Sequence, residues 1–158
     1  MIEQDSIKNF MWESAKETFE TMIFLPIERA DGDGDKLDPS VSVICTITFT
    51  GLIQGVFAIR SSATTVEKIG RAMLMSGPDD PMSDAEVYDA LGEVTNMIVG
   101  GVKGKMVEAV GEISISIPSV IKGVEIRPAM GRNAETVDLD TKVDGETVKL
   151  IMMYKSES

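Results

Sequence analysis

The stretch SDAEVYDALGEVTNMIVGGVKGKM, Ser83 to Met106, has the apolar spacing of a long amphipathic helix. Ser83 followed by Glu86 is a start signal for such a helix, because each side chain can accept a hydrogen bond from the other residue's backbone N–H. At about 100° per residue, one side of the helix collects four apolar residues: Val87, Leu91, Val94 and Ile98. We therefore predict that this side packs in the core and that the opposite side faces solvent.

The opposite side of this helix carries polar residues that helix stability does not explain. Within an arc of about 60° lie Asp89, Glu93, Asn96 and Gly100. Asparagine is a poor residue for an exposed helix interior, and a glycine such as Gly100 or Gly101 costs about 1 kcal/mol relative to alanine. The residues alone leave two interpretations open: a solvated polar face whose glycines allow close packing, or a functional face.

The segments before this helix predict two further helices and a hairpin. Residues 6–24 have helical apolar spacing that ends at Pro26. The run VSVICTITFTGLIQGVFAIRSS is rich in β-formers and is broken near Gly51, which indicates a hairpin. Residues 63–77 indicate a shorter helix closed by Gly77 and the proline that follows it.

The segments after the long helix predict strands. EISISIPSV alternates with a period of two, and KGVEIRPAM, AETVDLDTKV and ETVKLIMMY follow it, the last two flanking the hairpin signal Asp144-Gly145. The predicted fold is α+β, with a mostly antiparallel sheet of about six strands packed against three helices. At 158 residues with 43% hydrophobic content, we expect a single domain that spans residues 1–158.

Composition excludes several classes of partner. Acidic residues outnumber basic ones 26 to 15, and the formal net charge of −11 opposes binding to nucleic acid or to anionic membranes. The start MIEQDSIKNF lacks the basic and apolar blocks of a signal peptide, and the longest apolar run, MIFLPI, is too short to span a bilayer. We therefore expect a cytoplasmic protein.

The absence of histidine excludes nucleophilic dyads and triads that need an imidazole base, and also histidine-ligated zinc. Cys45 is the single cysteine, so no internal disulfide can form, and we expect a buried structural thiol. Any catalysis must use carboxylates, amides, lysines, hydroxyls, backbone groups or a group supplied by a partner.

Two motif fragments are too incomplete to indicate a site. A calcium loop needs glycine at its sixth position and glutamate at its twelfth, where this chain has Lys36 and Ser42, so a solvated acidic loop is favoured for Asp31, Asp33 and Asp35. The segment GVKGKM has too short a spacing for a phosphate loop, and no serine or threonine follows its lysine.

The pattern Asp89-x-x-x-Glu93-x-x-Asn96-x-x-x-Gly100 resembles the [D/S]-x-x-x-E-x-x-N-x-x-x-G helix motif of the CheC, CheX and FliY chemotaxis phosphatases. ITFTGLIQGVFAIRSS resembles the family hairpin, and ISIPSVIKG resembles the segment that follows the active helix in CheX proteins, so the likeness runs over most of the chain. In the first helix, KETFETMIF contains glutamates but no asparagine. The chain therefore resembles the single-site CheX type and not the two-site CheC type.

The resemblance implies a phosphatase whose substrate is a phosphorylated CheY-like response regulator. Asn96 would orient the attacking water, and Glu93 would pair with the receiver lysine. Asp89 would lie at the rim of the contact, and Gly100 would allow close approach of the two chains.

The resemblance also bears on cofactors and assembly. It implies that this chain binds no cofactor of its own, that Mg²⁺ comes with the partner receiver, and that the protein is a homodimer with joined sheets. The alternative is a module of the same fold that binds receivers or flagellar-switch components without hydrolysis.

Overall fold

The computed structural model of the chain describes residues 2–30, 42–124 and 128–156. Three α-helices occupy α1 Gln4–Thr18, α2 Ala63–Met73 and α3 Asp84–Val110, and α1 continues into a π-helical turn over Phe19–Ile23. The strands are β1 Ile27–Arg29, β2 Ser42–Thr50, β3 Ile53–Ser62, β4 Ser114–Ile115, β5 Ser119–Gly123, β6 Glu135–Val143 and β7 Glu146–Ser156. None of the helices in these ranges combines the length and hydropathy that a bilayer crossing needs.

The strands form one sheet in the order β1-β6-β7-β3-β2-β4, and β5 also pairs with β2. All of the described strand pairs are antiparallel. The apolar residues of one sheet face form a single buried cluster with those of the three helices. The prediction of an α+β fold with a mostly antiparallel sheet and three helices is confirmed, with seven strands in place of about six.

Both predicted hairpins are confirmed. β2 and β3 pair from Ser42↔Ser62 to Phe49↔Gly55 around the turn that contains Gly51. β6 and β7 are joined by Asp144 and Gly145, whose φ angles of 49° and 81° are the positive values that a two-residue type I′ turn requires.

Several predicted boundaries are wrong. α2 ends at Met73, before Gly77, because the chain leaves the helical conformation at Leu74 and Met75 takes a φ of 56°. α3 continues past Met106 to Val110, where Gly111 ends it. The predicted strand KGVEIRPAM is also wrong in its described part, because only its first two residues belong to a strand, β5, and a proline without a backbone N–H occurs later in the segment. The acidic segment with Asp31, Asp33 and Asp35 lies outside the described residues.

The capping box predicted for α3 is present. The Ser83 side chain accepts a hydrogen bond from the Glu86 backbone N–H, and the Glu86 side chain accepts one from the Ser83 backbone N–H. Two orphan N–H groups at the start of α3 are thereby satisfied, which sets the point at which the helix begins.

α3 lies between the other two helices, and a glycine marks each contact. On the α2 side, a Cβ built on Gly70 would lie 3.5 Å from the Val87 Cα. On the α1 side, a Cβ built on Gly101 would lie 3.1 Å from the Ser14 Cβ and would clash with the Ser14 hydroxyl. That hydroxyl is buried and donates a 2.7 Å hydrogen bond to the Ile98 carbonyl. The absence of a side chain at residue 101 therefore lets α1 and α3 approach closely.

The neighbouring glycines Gly100 and Gly101 provide a matched pair of substitutions. Gly101→Ala forces the Ser14 hydroxyl away from the Ile98 carbonyl, so we expect it to lower the free energy of unfolding by about 1–3 kcal/mol. A Cβ on Gly100 meets no atom within 4 Å, so Gly100→Ala should raise that free energy by up to about 1 kcal/mol through helix propensity. Urea unfolding followed by circular dichroism measures both, and equal effects of the two substitutions would contradict the proposed contact.

Candidate functional site

The four residues of the sequence motif all lie on the exposed side of α3. Asp89, Glu93, Asn96 and Gly100 are exposed, whereas the residues between them are buried, including Leu91, Val94 and Ile98, except for the half-buried Met97. This separation follows from the packing of α3, which has the sheet and two helices on its other sides. The amphipathic pattern predicted for the helix is therefore observed, with the motif on the side that other elements leave uncovered.

Glu93 and Asn96 are neighbours on this surface. Residues three apart in a helix have their Cβ atoms about 5–6 Å from each other. Within the described part of the chain, neither side chain has a hydrogen-bond or ion-pair partner. A carboxylate and an amide therefore stand side by side with all of their polar atoms available to an incoming molecule.

The backbone beneath this pair is held by two buried hydroxyls. Thr95 donates a 2.7 Å hydrogen bond to the Leu91 carbonyl, and Ser14 donates one of 2.7 Å to the Ile98 carbonyl. Sequence reasoning missed both residues. The available signal was a small hydroxyl residue in the apolar stripe of a helix, where a buried polar group needs a partner.

A groove of about 610 Å³ opens beside Glu93, where Pro118 of the segment between β4 and β5 approaches α3. Tyr88, Pro118 and Val120 line it together with the acidic residues Asp89 and Glu93. Neither Tyr88 nor Pro118 is among the four motif residues that the sequence predicts for the site. The groove is thus a mixed apolar and acidic surface next to the acid and amide pair.

Other candidates from the sequence do not form sites in the described residues. Cys45 is buried as predicted, and burial raises the pKa of its thiol, which keeps it protonated. The segment GVKGKM lies inside α3, and its Lys105 Nζ is 3.8 Å from a Glu13 carboxylate oxygen, so the segment is not a loop that could surround a phosphate. Among the described residues, no three His, Cys, Asp or Glu side chains are grouped as a metal site would require.

Comparison with protein families and solved structures gives a consistent result. The model of the family "Chemotaxis phosphatase CheX" matches residues 43–140, which is more than half of the chain and includes all four motif residues of α3. No curated protein matches the chain.

Solved structures of chemotaxis proteins share the fold. CheX from Desulfovibrio desulfuricans is 21% identical with a TM-score of 0.77, covering 94% of this chain and 99% of that one. CheX from Vibrio vulnificus is 18% identical with a TM-score of 0.74, covering 98% of this chain and 100% of that one. The CheX chain of a CheX-CheY-BeF3-Mg²⁺ complex from Borrelia burgdorferi is 18% identical with a TM-score of 0.73, covering 94% of this chain and 97% of that one.

At identities this low, the solved structures establish the fold, and the family match carries the assignment. The matched residues contain the β2–β3 hairpin except its first residue, together with the whole of α3, β4 and β5. The chain belongs to the CheX family of chemotaxis phosphatases.

Proposed function

We propose that this protein hydrolyses the aspartyl phosphate of a CheY-like response regulator, with Glu93 and Asn96 as the catalytic residues. The observation that carries the proposal is their geometry: an exposed carboxylate and amide, neighbours on one helix face and without partners among the described residues. Family membership supports the reaction class, and the Borrelia burgdorferi complex of a relative with CheY, BeF3 and Mg²⁺ supports the class of partner.

The proposed chemistry needs little from this chain except position. In an aspartyl phosphate the carboxylate is a good leaving group, and a receiver holds the phosphoryl group beside Mg²⁺ and a lysine that balance its charge. The missing component is a water in line with the P–O bond to the aspartate. The amide of Asn96 accepts a hydrogen bond from that water and orients it. Water oxygen bonds to phosphorus as the P–O bond breaks, which yields inorganic phosphate, a free aspartate carboxylate and a released proton.

Glu93 has a different role in the proposal. Its carboxylate pairs with the receiver lysine beside the phosphoryl group and so fixes the register of the two proteins. A carboxylate in the position of Asn96 would repel the phosphoryl oxygens, whereas the neutral amide does not. The acid and the amide are therefore not interchangeable.

The other two motif residues shape the contact. Asp89 is exposed one turn before Glu93 and lines the adjacent groove, which fits a rim position. Gly100 has open space where a Cβ would stand, one turn after Asn96, which leaves room for the backbone of the partner. Within this chain the close contact between α1 and α3 is made at Gly101, and a Cβ on Gly100 would meet no other element among the described residues. In the proposal, the residue that approaches Gly100 therefore belongs to the partner.

The first prediction for this function separates chemistry from folding. Asn96→Ala should preserve the fold, because the side chain is exposed and alanine is a better helix former. Its single-turnover rate of receiver dephosphorylation should fall on the order of 10²-fold or more, the scale for losing a group that positions the nucleophile. Binding to the receiver with beryllofluoride, which stands in for the phosphoryl group, should remain near the wild-type level.

Two further variants make this comparison sharper. Glu93→Ala should weaken receiver binding as well as the rate, because it removes the inter-protein charge pair. Glu108→Ala is the matched control: it is exposed on α3, about 18 Å along the helix from Asn96, and should leave both quantities unchanged. An Asn96→Ala protein that folds and dephosphorylates at the wild-type rate would refute the mechanism. If the wild-type protein binds the receiver but does not hydrolyse its phosphate, the protein is the non-catalytic module instead.

A second prediction concerns the metal. We propose that Mg²⁺ belongs to the receiver, because Asp89 and Glu93 alone offer too few oxygen ligands for a dedicated site on α3. Elemental analysis of the purified protein should therefore find no stoichiometric metal. Receiver dephosphorylation should stop in EDTA and return with added Mg²⁺, while the circular dichroism of this protein stays unchanged. Stoichiometric metal in the purified protein would overturn this division.

A third prediction concerns assembly. β1 pairs only with the end of β6, so Glu135 to Leu139 have no strand on their outer side among the described residues. Such an edge can pair with its copy in a second chain. We propose a homodimer with joined sheets and outward-facing α3 helices. Light scattering at micromolar concentration should give about twice the chain mass of 17.1 kDa, and a particle of the single-chain mass would contradict the proposal.

A further inference from the structure

The segment between β4 and β5 contains a β-bulge. Opposite β2, the pairing runs through Phe49↔Ile115 and resumes at Thr46↔Ser119. Two residues of β2 therefore oppose three residues, 116–118, on the other side. Such a bulge re-aims a side chain, and bulges are common at sheet edges and next to active sites. Pro118 fits this position because an edge bulge does not need its missing N–H.

The bulge presents Ile117 to solvent on a fixed backbone. Ile117 is 86% exposed, an unfavourable position for a large apolar side chain. The preceding Ser116 is held by β2: its N–H donates to the Thr48 carbonyl and its hydroxyl accepts from the Thr48 N–H, both at 2.9 Å. Its hydroxyl also donates to the Ile117 carbonyl at 3.0 Å. A β-branched side chain on such a backbone loses little freedom on binding.

Pro118, the residue after this exposed isoleucine, contacts the helix that carries the proposed catalytic residues. A Cβ built on Gly92 would lie 3.3 Å from the Pro118 Cβ, so the bulge packs directly on α3 at the residue before Glu93. Pro118 and Tyr88 also line the groove that Asp89 and Glu93 line. Ile117 directly precedes Pro118 in the chain and is therefore at the border of this groove.

We propose that Ile117, Tyr88 and Pro118 form an apolar anchor that docks the receiver domain beside its phosphorylation site. The inference rests on the proposed function and assigns a separate task within it: the anchor supplies affinity, while Glu93 and Asn96 act on the phosphoryl group. A rigid apolar contact next to a charge pair is the arrangement in which a few residues supply most of the binding energy.

The charges favour a receiver over other occupants. Asp89 and Glu93 line the same groove and suit a partner that brings a metal cation and a lysine. A second copy of this chain has a formal charge of −11 and would oppose these carboxylates, as would nucleic acid or an anionic membrane.

The test is the substitution Ile117→Asp in the full chain. Its dissociation constant for a CheY-like receiver with beryllofluoride and Mg²⁺ should rise on the order of 10-fold or more. At saturating phosphorylated receiver, the single-turnover rate should stay near the wild-type value, because Glu93 and Asn96 are intact. Urea unfolding should show an unchanged fold, since the side chain is exposed.

Leu52→Asp is the matched control. Leu52 is 64% exposed and lies within 3.9 Å of a Cβ built on Gly111, at the C-terminal end of α3. Gly111 is eighteen residues beyond Glu93, about 27 Å along the helix. The same change of charge there should leave receiver binding unchanged, and an equal loss in both variants would overturn the anchor.

The remaining outcomes separate the two proposals. If the wild-type protein dephosphorylates the receiver and Ile117→Asp binds it with an unchanged dissociation constant, the anchor is wrong and the proposed function stands. A lower rate for Ile117→Asp at saturation would also overturn the anchor, because it would place the residue in the chemistry. A wild-type protein that binds no activated receiver would overturn both. If Ile117→Asp abolishes a dimer and leaves receiver binding unchanged, the surface around Ile117 binds a second copy of this chain and the anchor is wrong.

Discussion

The burial of α3 against the sheet and two helices is the constraint on which the rest of the structure depends. The Ser14 hydroxyl reaches the Ile98 carbonyl only because Gly101 has no side chain, and α2 packs on the other side of α3, where a Cβ built on Gly70 would lie 3.5 Å from the Val87 Cα. In a closely packed core, a helix held in this way cannot rotate without opening cavities. Its exposed face is therefore fixed relative to the sheet, and so are Glu93 and Asn96 on it.

This rigidity suits a reaction in which the proposed contribution of the chain is position. An acyl phosphate with Mg²⁺ and a lysine needs an oriented water more than it needs a base that titrates near neutral pH. The proposal therefore accounts for a CheX-family chain without histidine. It also explains why an amide beside a carboxylate serves better than two carboxylates. A second negative charge, at the position of Asn96, would repel the phosphoryl oxygens and hinder the attack.

The edge of the sheet next to α3 contributes to the proposed contact with the partner. β4 and β5 return along α3, and the bulge between them brings Pro118 against Gly92. The hydrogen bonds of Ser116 to Thr48 tie this part of the edge to β2, and the next residue, Ile117, is exposed. Helix and edge strand thus form one surface, with charge on the helix and apolar area on the bulge.

Local chemistry was enough to predict the helices, both hairpins, the capping box at Ser83 and the exposed side of α3. Hydrophobic period, turn residues and caps depend on neighbours within a few positions, so the sequence by itself determined them. It also carried the motif on which the proposal of Glu93 and Asn96 as catalytic residues rests.

Only the tertiary structure decided which glycine makes the helix contact, since Gly100 and Gly101 are equivalent by propensity and only one faces Ser14. The tertiary structure also decided the bulge. The alternation in ISISIPSV predicts a continuous strand, and the extra residue appears only when this segment pairs with β2. The two residues that hydrogen-bond there, Thr48 and Ser116, are 68 positions apart in the sequence. A periodic pattern specifies which side of an element is buried. The residue that packs against that side is set by the arrangement of distant segments, and that arrangement brings Pro118 against Gly92.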